Sequence, residues 1–239
     1  VEEGRYFSVQ LTSLYTFNFG YIGSRCTGNK KGCYAVVGPH WKGEIPEGID
    51  KVFQSETDLA FAIYRTQLFG KHDIDAVKKI QKGYKVSLLS EFMNTPKPEN
   101  APEIEWPKID QKRSEENPFA YLNFLLQFAP PIRTAAVELP MRARFAKIGI
   151  KPGLPFNDMT DADRLGIKNG LEKIKNEVDS FGVVHNGWRI STKGFGNRYM
   201  LKGNWLLRAA AADAGIFGND ALEALYPLTT KDSDGEILD

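Results

Sequence analysis

The stretch RYFSVQLTSLYTFNF (residues 5–19) determines the fold class of this chain. Its odd positions from residue 7 onward are apolar, interrupted only by Ser13, and its even positions are mostly Ser, Gln, Thr and Asn. Alternation with a period of two is typical of a β-strand that buries one face and leaves the other in water. The stretch therefore predicts a half-buried strand in a chain built on β-sheet.

Three further stretches continue the β pattern as far as residue 68. They are CYAVVG (33–38), KVFQSE (51–56) and DLAFAIYRTQL (58–68), each bounded by Gly, Pro or Asp. A short helix, DIDAVKKIQKG (73–83), follows them, with Asp73 or Asp75 as its expected N-cap. Residues 1–92 are therefore predicted to form one antiparallel β-sandwich.

The pattern changes after residue 92. NTPKPENAPEIEWP (94–107) contains four prolines and little apolar periodicity, so residues 93–114 are expected to be an extended surface connection. Apolar residues then recur at helical intervals. The predicted helices begin after Asn117-Pro118, after Pro130-Pro131 with a disturbance at Pro140, and at Thr160, the last one ending near Phe181. Residues 115–184 are therefore predicted to form a helical unit.

Residues 185–239 combine helix and strand signals. An Ala-rich helix is predicted for 206–214, a short helix for 220–225 and a strand for YPLTT (226–230). The DSDG that follows does not fit a calcium loop, because placing Gly235 at the sixth position makes Thr230 the first ligand and puts the twelfth after residue 239. It fits a type I turn between two strands, with Gly235 in the left-handed conformation.

The composition limits the classes of partner. The chain has 239 residues, of which 42% are hydrophobic, and 31 Lys and Arg against 30 Asp and Glu leave a net charge of +1. Such a chain buries a sizeable core, and it has no overall positive field to attract nucleic acid. No apolar run approaches the roughly 18 residues that a membrane-spanning helix needs, so no membrane span is predicted.

The two cysteines allow two interpretations. Cys26 and Cys33 flank TGNKKG (27–32), a polar stretch typical of a turn. If the turn joins a hairpin, the two sulfurs face each other and a disulfide forms, which implies an oxidising compartment. Otherwise both are free thiols at strand ends. The spacing is a poor zinc signature in a chain with three His, and no metal or cofactor is predicted.

Two pairs of residues combine an imidazole with an indole. His40 and Trp41 follow Gly38-Pro39 at the end of a strand, and His185 lies close to Trp188 and an arginine. Loop positions of this kind often contact ligands, and an aromatic ring beside an arginine can stack on a sugar or bind a carboxylate. The competing interpretation is structural for both pairs, as loop or interdomain packing.

Two arginines lie in apolar surroundings. Arg65 interrupts an apolar strand, and Arg208 lies in the Ala-rich helix. A partly buried guanidinium must find a carboxylate or carbonyl groups. Each arginine therefore belongs either to a structural ion pair or to a pocket that binds an acidic ligand. No nucleophile, zinc-protease or phosphate-loop motif occurs, so no catalytic residue is assigned.

Several stretches occur in the same order and spacing in a known group of proteins. They are RYFSVQLTSLYTFNFGYIGSR (5–25), YAVVGPHWKG (34–43), residues 55–89, AKIGIKPGLPF (146–156), LLRAAAADAGIFG (206–218) and ALYPLTTKDSDGEIL (224–238). Through them nearly the whole chain resembles bacterial and related proteins that pair domain of unknown function 1254 with domain of unknown function 1214. The resemblance implies an immunoglobulin-like sandwich, a helical insert and the start of a jelly roll, an α+β, multi-domain fold.

The same resemblance implies further polypeptide. Proteins of this group carry strands before the RYFSVQL-like strand and continue the jelly roll after the DSDG-like turn. The chain is therefore expected to be an internal portion, and its first partners are the N- and C-terminal portions of the same polypeptide. A homo-oligomer and a small molecule or glycan are further candidate partners. The resemblance also implies a periplasmic or extracellular location, with the cytoplasm as the alternative.

Two classes of function follow. The favoured one is a noncatalytic protein that binds a small molecule or glycan or takes part in an assembly. The alternative is a hydrolase or lyase whose site lies between the two β domains. An enzyme of that kind requires a pocket with at least two titratable groups of strongly shifted pKa, which binding alone does not.

Overall fold

The computed structural model describes residues 1–117, 119–132, 136–153, 160–178, 182–201 and 203–238. Within these ranges the chain is a mixed α/β structure with two antiparallel sheets and one two-stranded parallel sheet, which agrees with the predicted mixture of helices and strands. The immunoglobulin-like and jelly-roll topologies and the domain limits stay predictions.

The stretch 5–19 forms two strands instead of one. Strand β1 (Phe7–Ser13) and strand β2 (Asn18–Gly23) pair as an antiparallel hairpin. The chain reverses where Thr16 has a φ of 61° and the Ser13 N–H donates to the Phe17 carbonyl at 2.9 Å. The prediction of one continuous strand was wrong because β1 ends at Ser13, the only polar residue in the apolar series, and the alternation continues beyond the turn.

Strand β1 is the central strand of a three-stranded sheet. Strands β3 (Tyr34–Val37) and β4 (Lys51–Gln54) come next in the chain, and β5 (Ala60–Thr66) returns to pair antiparallel with the free edge of β1. The order β2-β1-β5 places Val9 between Ile22 and Tyr64. All of β1 is buried, so both of its faces must be covered.

Strands β3 and β4 cover the odd face of β1. They pair parallel to each other, and Phe53 of β4 packs with Val9 and Leu11 in the core. The prediction of an antiparallel arrangement was wrong for this pair, because residues 38–50 are long enough to carry the chain back to the same end of the sheet. Only glycine fits at position 20, since a Cβ there would lie 2.2 Å from the Phe53 ring.

The even face of β1 is covered by the C-terminal part of the chain. Ser8, Gln10 and Thr12 are each at most 1% exposed. Gln10 Nε2 donates to the Gly218 carbonyl at 2.9 Å, and the Phe217 ring lies over Phe61 with 4.7 Å between the centroids. The half-buried prediction was wrong because this face is covered by protein instead of water, and Gln10 and Thr12 bind other protein groups there.

A 3-10 turn (Lys71–Asp73) leads into helix α1 (Ile74–Lys82). Asp73 occupies the N-cap position, as predicted, but its side chain makes no capping hydrogen bond. It accepts instead from Nη1 and Nη2 of Arg5 at 2.5 and 2.8 Å and from the Phe69 N–H at 3.1 Å. The Asp73 carboxylate therefore binds the buried Arg5 instead of capping the helix.

The middle of the chain is helical. Its helices are α2 (Leu89–Phe92), α3 (Gln111–Glu116), α4 (Leu122–Leu126), α5 (Glu138–Ala146) and α6 (Asp161–Val178). Residues 95–110 contain neither helix nor strand. Pro140 lies in the first turn of α5, where its missing N–H breaks no intrahelical hydrogen bond.

Helix α6 begins with the predicted capping box. The Asp163 N–H donates to Thr160 Oγ1 at 3.2 Å, and the Thr160 N–H donates to Asp163 Oδ2 at 2.9 Å. Pro118 and Phe181, at which two predicted helix limits fall, lie outside the described residues.

The tail contains a hairpin, a helix and a turn. Strands β6 (Val183–His185) and β7 (Trp188–Ile190) pair antiparallel, and Arg189 of β7 also bridges Leu228. Helix α7 (Trp205–Ala214) confirms the Ala-rich helix. The helix predicted for 220–225 is wrong, because residues 221–223 form only a turn and Pro227 disfavours a helical residue before it.

The DSDG turn is confirmed. The Asp232 N–H donates to the Glu236 carbonyl at 2.9 Å, and Gly235 has a φ of 86°. Asp232 Oδ1 accepts from the Asp234 and Glu236 N–H groups. The aspartate side chain therefore stabilises its own turn.

Candidate functional site

His40 and Trp41 lie in the loop after β3. The His40 side chain is exposed and Trp41 is partly buried. Gln54 Nε2 donates to the carbonyls of Gly38, Pro39 and Trp41 at 3.2, 3.3 and 3.0 Å. The loop is thus held through its backbone, as the structural interpretation of this pair requires.

His185 and Trp188 face each other across the β6–β7 hairpin. Both side chains are exposed. In the ranges that the structure describes, no group of three or more His, Cys, Asp and Glu side chains is placed to hold a metal ion. None of the helices there combines the length and apolar character that a membrane crossing requires.

Cys26 and Cys33 are free thiols. Cys26 is exposed and Cys33 is partly buried, and the Cys33 N–H donates to Asp50 Oδ2 at 2.7 Å. The disulfide considered from the sequence is not formed in the structure. It therefore supplies no argument for an oxidising compartment.

Arg65 belongs to the layer that covers the even face of β1. Its Nη1 donates to Gln10 Oε1 at 2.7 Å and to Asn219 Oδ1 at 3.5 Å, and its Nη2 donates to the Phe217 carbonyl at 3.5 Å. These contacts fasten residues 217–219 to the sheet. They favour the structural interpretation of Arg65.

A buried carboxylate completes this layer. Glu223 accepts from the Tyr6 hydroxyl at 2.5 Å and from Arg25 Nε at 2.5 Å, and its side chain is 2% exposed. Nearby, the Tyr21 hydroxyl accepts from the Asp220 N–H at 3.2 Å, and burial raises the pKa of Tyr21 well above its ordinary value. Residues 217–223 are therefore fixed to the sheet by a dense polar network.

A second group of charged side chains surrounds Tyr15 and Phe17 at the turn between β1 and β2. We call it the arginine cluster, and its charged members are Glu56, Glu138, Arg142, Arg198 and Arg208. The three arginines outnumber the two carboxylates. The cluster therefore has a net positive charge.

Arg198 connects the two carboxylates of the cluster. Its Nε donates to both oxygens of Glu56 at 2.8 Å, and its Nη1 donates to Glu138 Oε2 at 3.2 Å. Its Nη2 is buried and has no hydrogen-bond partner within the described residues. The Arg198 guanidinium also lies 4.6 Å from the centroid of the Phe17 ring.

Arg208 lies on the same aromatic ring, with 3.8 Å between its guanidinium and the Phe17 centroid. Its Nη2 donates to the Tyr15 carbonyl and, at 3.3 Å, to Thr16 Oγ1. Burial and then the charge of Arg198 lower the pKa of Arg208 to about 10. Within the described residues, no carboxylate forms an ion pair with Arg208.

Tyr15 links the cluster to the helical part of the chain. Its hydroxyl donates to the Pro130 carbonyl at 2.8 Å and accepts from Arg142 Nη2. Burial, reinforced by Glu138, raises the pKa of Tyr15 to about 12. At neutral pH the cluster therefore holds a neutral Tyr15 phenol and a protonated Arg208 guanidinium.

Sequence reasoning found Arg208 but missed most of the groups around it. Tyr15 fitted the apolar alternation, and no motif marks Glu138 or Arg142. Glu223 gave no signal because its partners, Tyr6 and Arg25, are about 200 residues away in the chain. The charged residue in an Ala-rich helix was the one local signal for the cluster.

A family model described as "Protein of unknown function (DUF1254)" matches residues 1–87. No curated protein matches the chain. The chain is similar to the crystal structure of the VPA0106 protein from Vibrio parahaemolyticus, with a TM-score of 0.77 and 21% identity. The match covers 100% of this chain and 57% of the Vibrio chain. This similarity shows a common fold.

Proposed function

We propose that the protein is a noncatalytic assembly module whose exposed apolar surface is covered by further polypeptide. The observation that carries the proposal is the large solvent-accessible surface area of the chain. The chain exposes 17132 Å², whereas a compact monomer of its mass, 26.8 kDa, exposes about 11,000 Å². The excess, about 6,000 Å², exceeds the roughly 800 Å² that each partner buries in a standard protein interface.

The hairpin β6–β7 is one part of this exposed surface. Val183 and Val184 are 72% and 62% exposed, and Leu228, which bridges β7, is 65% exposed. Successive residues of a strand point to opposite faces, so both faces of this small sheet are uncovered. A sheet of this size gains stability only when an apolar face is buried, which favours a covering element.

We propose further strands of the same polypeptide as that covering element. Strand β6 pairs only with β7 in the described part of the chain, so its outer edge can accept another strand. The Vibrio chain with the same fold is longer than this one. The predicted immunoglobulin-like sandwich and 1214-type jelly roll are part of the proposal, and a second copy of the chain is the other outcome that a test must distinguish.

The charge states of the arginine cluster favour this proposal over a hydrolase or lyase. General acid–base catalysis works best when a group titrates near the operating pH. In the cluster, Tyr15 has a pKa of about 12 and Arg208 a pKa of about 10. Both groups keep their protons at neutral pH. The Tyr15 hydroxyl therefore remains a hydrogen-bond donor, and Arg208 remains positively charged.

Location outside the cytoplasm is part of the same proposal. It is supported by the resemblance given in the sequence analysis, which implies a periplasmic or extracellular location. Cell fractionation followed by immunodetection tests it. Recovery in the cytoplasmic fraction contradicts it.

A surface substitution tests whether the hairpin is covered in the intact protein. Val184→Lys should lower the free energy of unfolding by about 2 kcal/mol, because a charge replaces an apolar side chain in a buried contact. Val86→Lys is the matched control, since Val86 is 82% exposed and lies outside the hairpin. Equal, small effects of the two substitutions in thermal or urea unfolding would contradict the proposal.

A further inference from the structure

Arg208 has hydrogen-bonding capacity that the described residues do not use. Only its Nη2 makes hydrogen bonds, to Tyr15 and Thr16, so Nε and Nη1 have no partner in the part of the chain that the structure describes. A guanidinium offers five N–H donors in a planar fork that fits a carboxylate. A cation with this capacity and no paired carboxylate is suited to bind an anion.

A cleft adjoins the Arg208 side chain. Its other lining residues are Thr16, Gly194, Phe195, Leu201, Ala211, Ala212 and Ile216. The cleft offers about 10 Å³ to a water-sized group, and the empty volume that also includes its open mouth and adjoining solvent is about 230 Å³. The cleft therefore admits about one oxygen-sized group, and the remainder of a ligand must lie at the mouth.

The chemistry of the lining selects the class of ligand. Arg208 supplies the charge, and Thr16 Oγ1, which accepts from Arg208, can donate its own hydrogen. The other side chains named above are apolar. A polyhydroxylated sugar needs several polar side chains to replace the water that it loses on binding. An acid with an apolar body needs polar partners only for its carboxylate.

We propose that this cleft binds the carboxylate of a small monocarboxylic acid whose remaining part is apolar, with Arg208 as the ion-pair partner. The acid places its carboxylate against Arg208 and Thr16. Its apolar part lies on Phe195 and Ile216. The inference does not rest on the proposed assembly, because the cleft has no lining residue in the β6–β7 hairpin.

Calorimetric titration of the intact protein with benzoate and isobutyrate tests the inference. Benzamide, the neutral analogue of benzoate, and glucuronate and inorganic phosphate serve as comparison ligands. The expected result is saturable binding of at least one of the two apolar acids, with benzamide, glucuronate and phosphate at least tenfold weaker. Absence of saturable binding by both acids, or equal binding of a comparison ligand, would overturn it.

Substitutions test whether Arg208 is the residue that binds the acid. Arg208→Gln should weaken binding of the acid at least tenfold, and Arg208→Lys, which keeps the charge but loses the planar fork, should weaken it less. Arg164→Gln removes an exposed arginine on α6 and should leave the affinity unchanged. If Arg208→Gln does not fold, Arg208→Lys decides alone. Wild-type affinity in the folded Arg208 variants overturns the inference.

Discussion

The Nε atom of Arg198 lies 2.8 Å from both carboxylate oxygens of Glu56, 142 positions earlier in the chain. The same guanidinium donates to Glu138 at the start of α5. One cation therefore joins the segment after β4, the helical part and the C-terminal part. Ion pairs and hydrogen bonds in the arginine cluster therefore connect these three parts of the chain.

Replacement of Arg198 by methionine should destabilise the protein by about 2 kcal/mol, because it leaves a buried carboxylate without its closest cation. The side chain of Glu138 is 3% exposed, and its other ion-pair partner, Arg142, lies 3.7 Å away. Urea unfolding measures the effect. Lys112→Met is the control, since the exposed Lys112–Glu116 pair should contribute less than about 1 kcal/mol. Equal losses in the two variants would refute the role given to Arg198.

The Arg5–Asp73 pair should make stability depend on pH in the acid range. The hydrogen bonds from Arg5 lower the pKa of Asp73 from 3.8 to about 2. A lowered carboxylate pKa stabilises the folded state above pH 3.8, and this stabilisation is lost as the pH falls toward 2.

Unfolding of Asp73→Asn beside the wild type isolates this contribution. The wild type should be the more stable protein at pH 5, and the difference should shrink as the pH falls to about 2. A difference between the two proteins that stays constant over this range would show that Asp73 is not held as the carboxylate partner of Arg5.

Gly20 should tolerate no side chain. Gly20→Ala places a Cβ 2.2 Å from the Phe53 ring, and overpacking of a core costs about 1–3 kcal/mol. Gly38→Ala is the matched control, because no atom lies within 4 Å of its Cβ position. Thermal unfolding of both variants checks the expectation, and a wild-type melting temperature for Gly20→Ala would contradict the packing of β4 on β2.

Tyr6 should stabilise the layer on the even face of β1 through its hydroxyl. Tyr6→Phe leaves Glu223 with one donor fewer, and a hydrogen bond to a charged group contributes about 1.5–3 kcal/mol. The same change at Tyr199, which is 87% exposed, should have an effect within about 0.5 kcal/mol. If chemical denaturation shows no difference between the two variants, residues 217–223 are not fixed to the sheet as described.

The local signals in the sequence predicted local structure well. Alternation and bounding turn residues placed β3, β4 and β5 within two residues of their observed limits. The Thr160–Asp163 spacing predicted the start of α6, and DSDG predicted its turn. Each of these signals depends on neighbours in the chain, so the sequence alone was sufficient.

The misses came from contacts between distant residues. Gln10 was expected in water because nothing near it indicates that residues 217–219 cover it. The parallel pairing of β3 and β4 follows from the path of the 38–50 connection, which has no periodic signal. The arginine cluster combines residues from four separated segments, so only its one anomalous member, Arg208, was visible in the sequence.

Intact mass spectrometry of the protein from its own source, under native and denaturing conditions, tests the assembly proposal most directly. The account predicts a denatured mass well above 26.8 kDa, or polypeptide partners that stay bound until denaturation. A single species of 26.8 kDa under both conditions would contradict it, because the exposed β6–β7 hairpin would then have no covering partner.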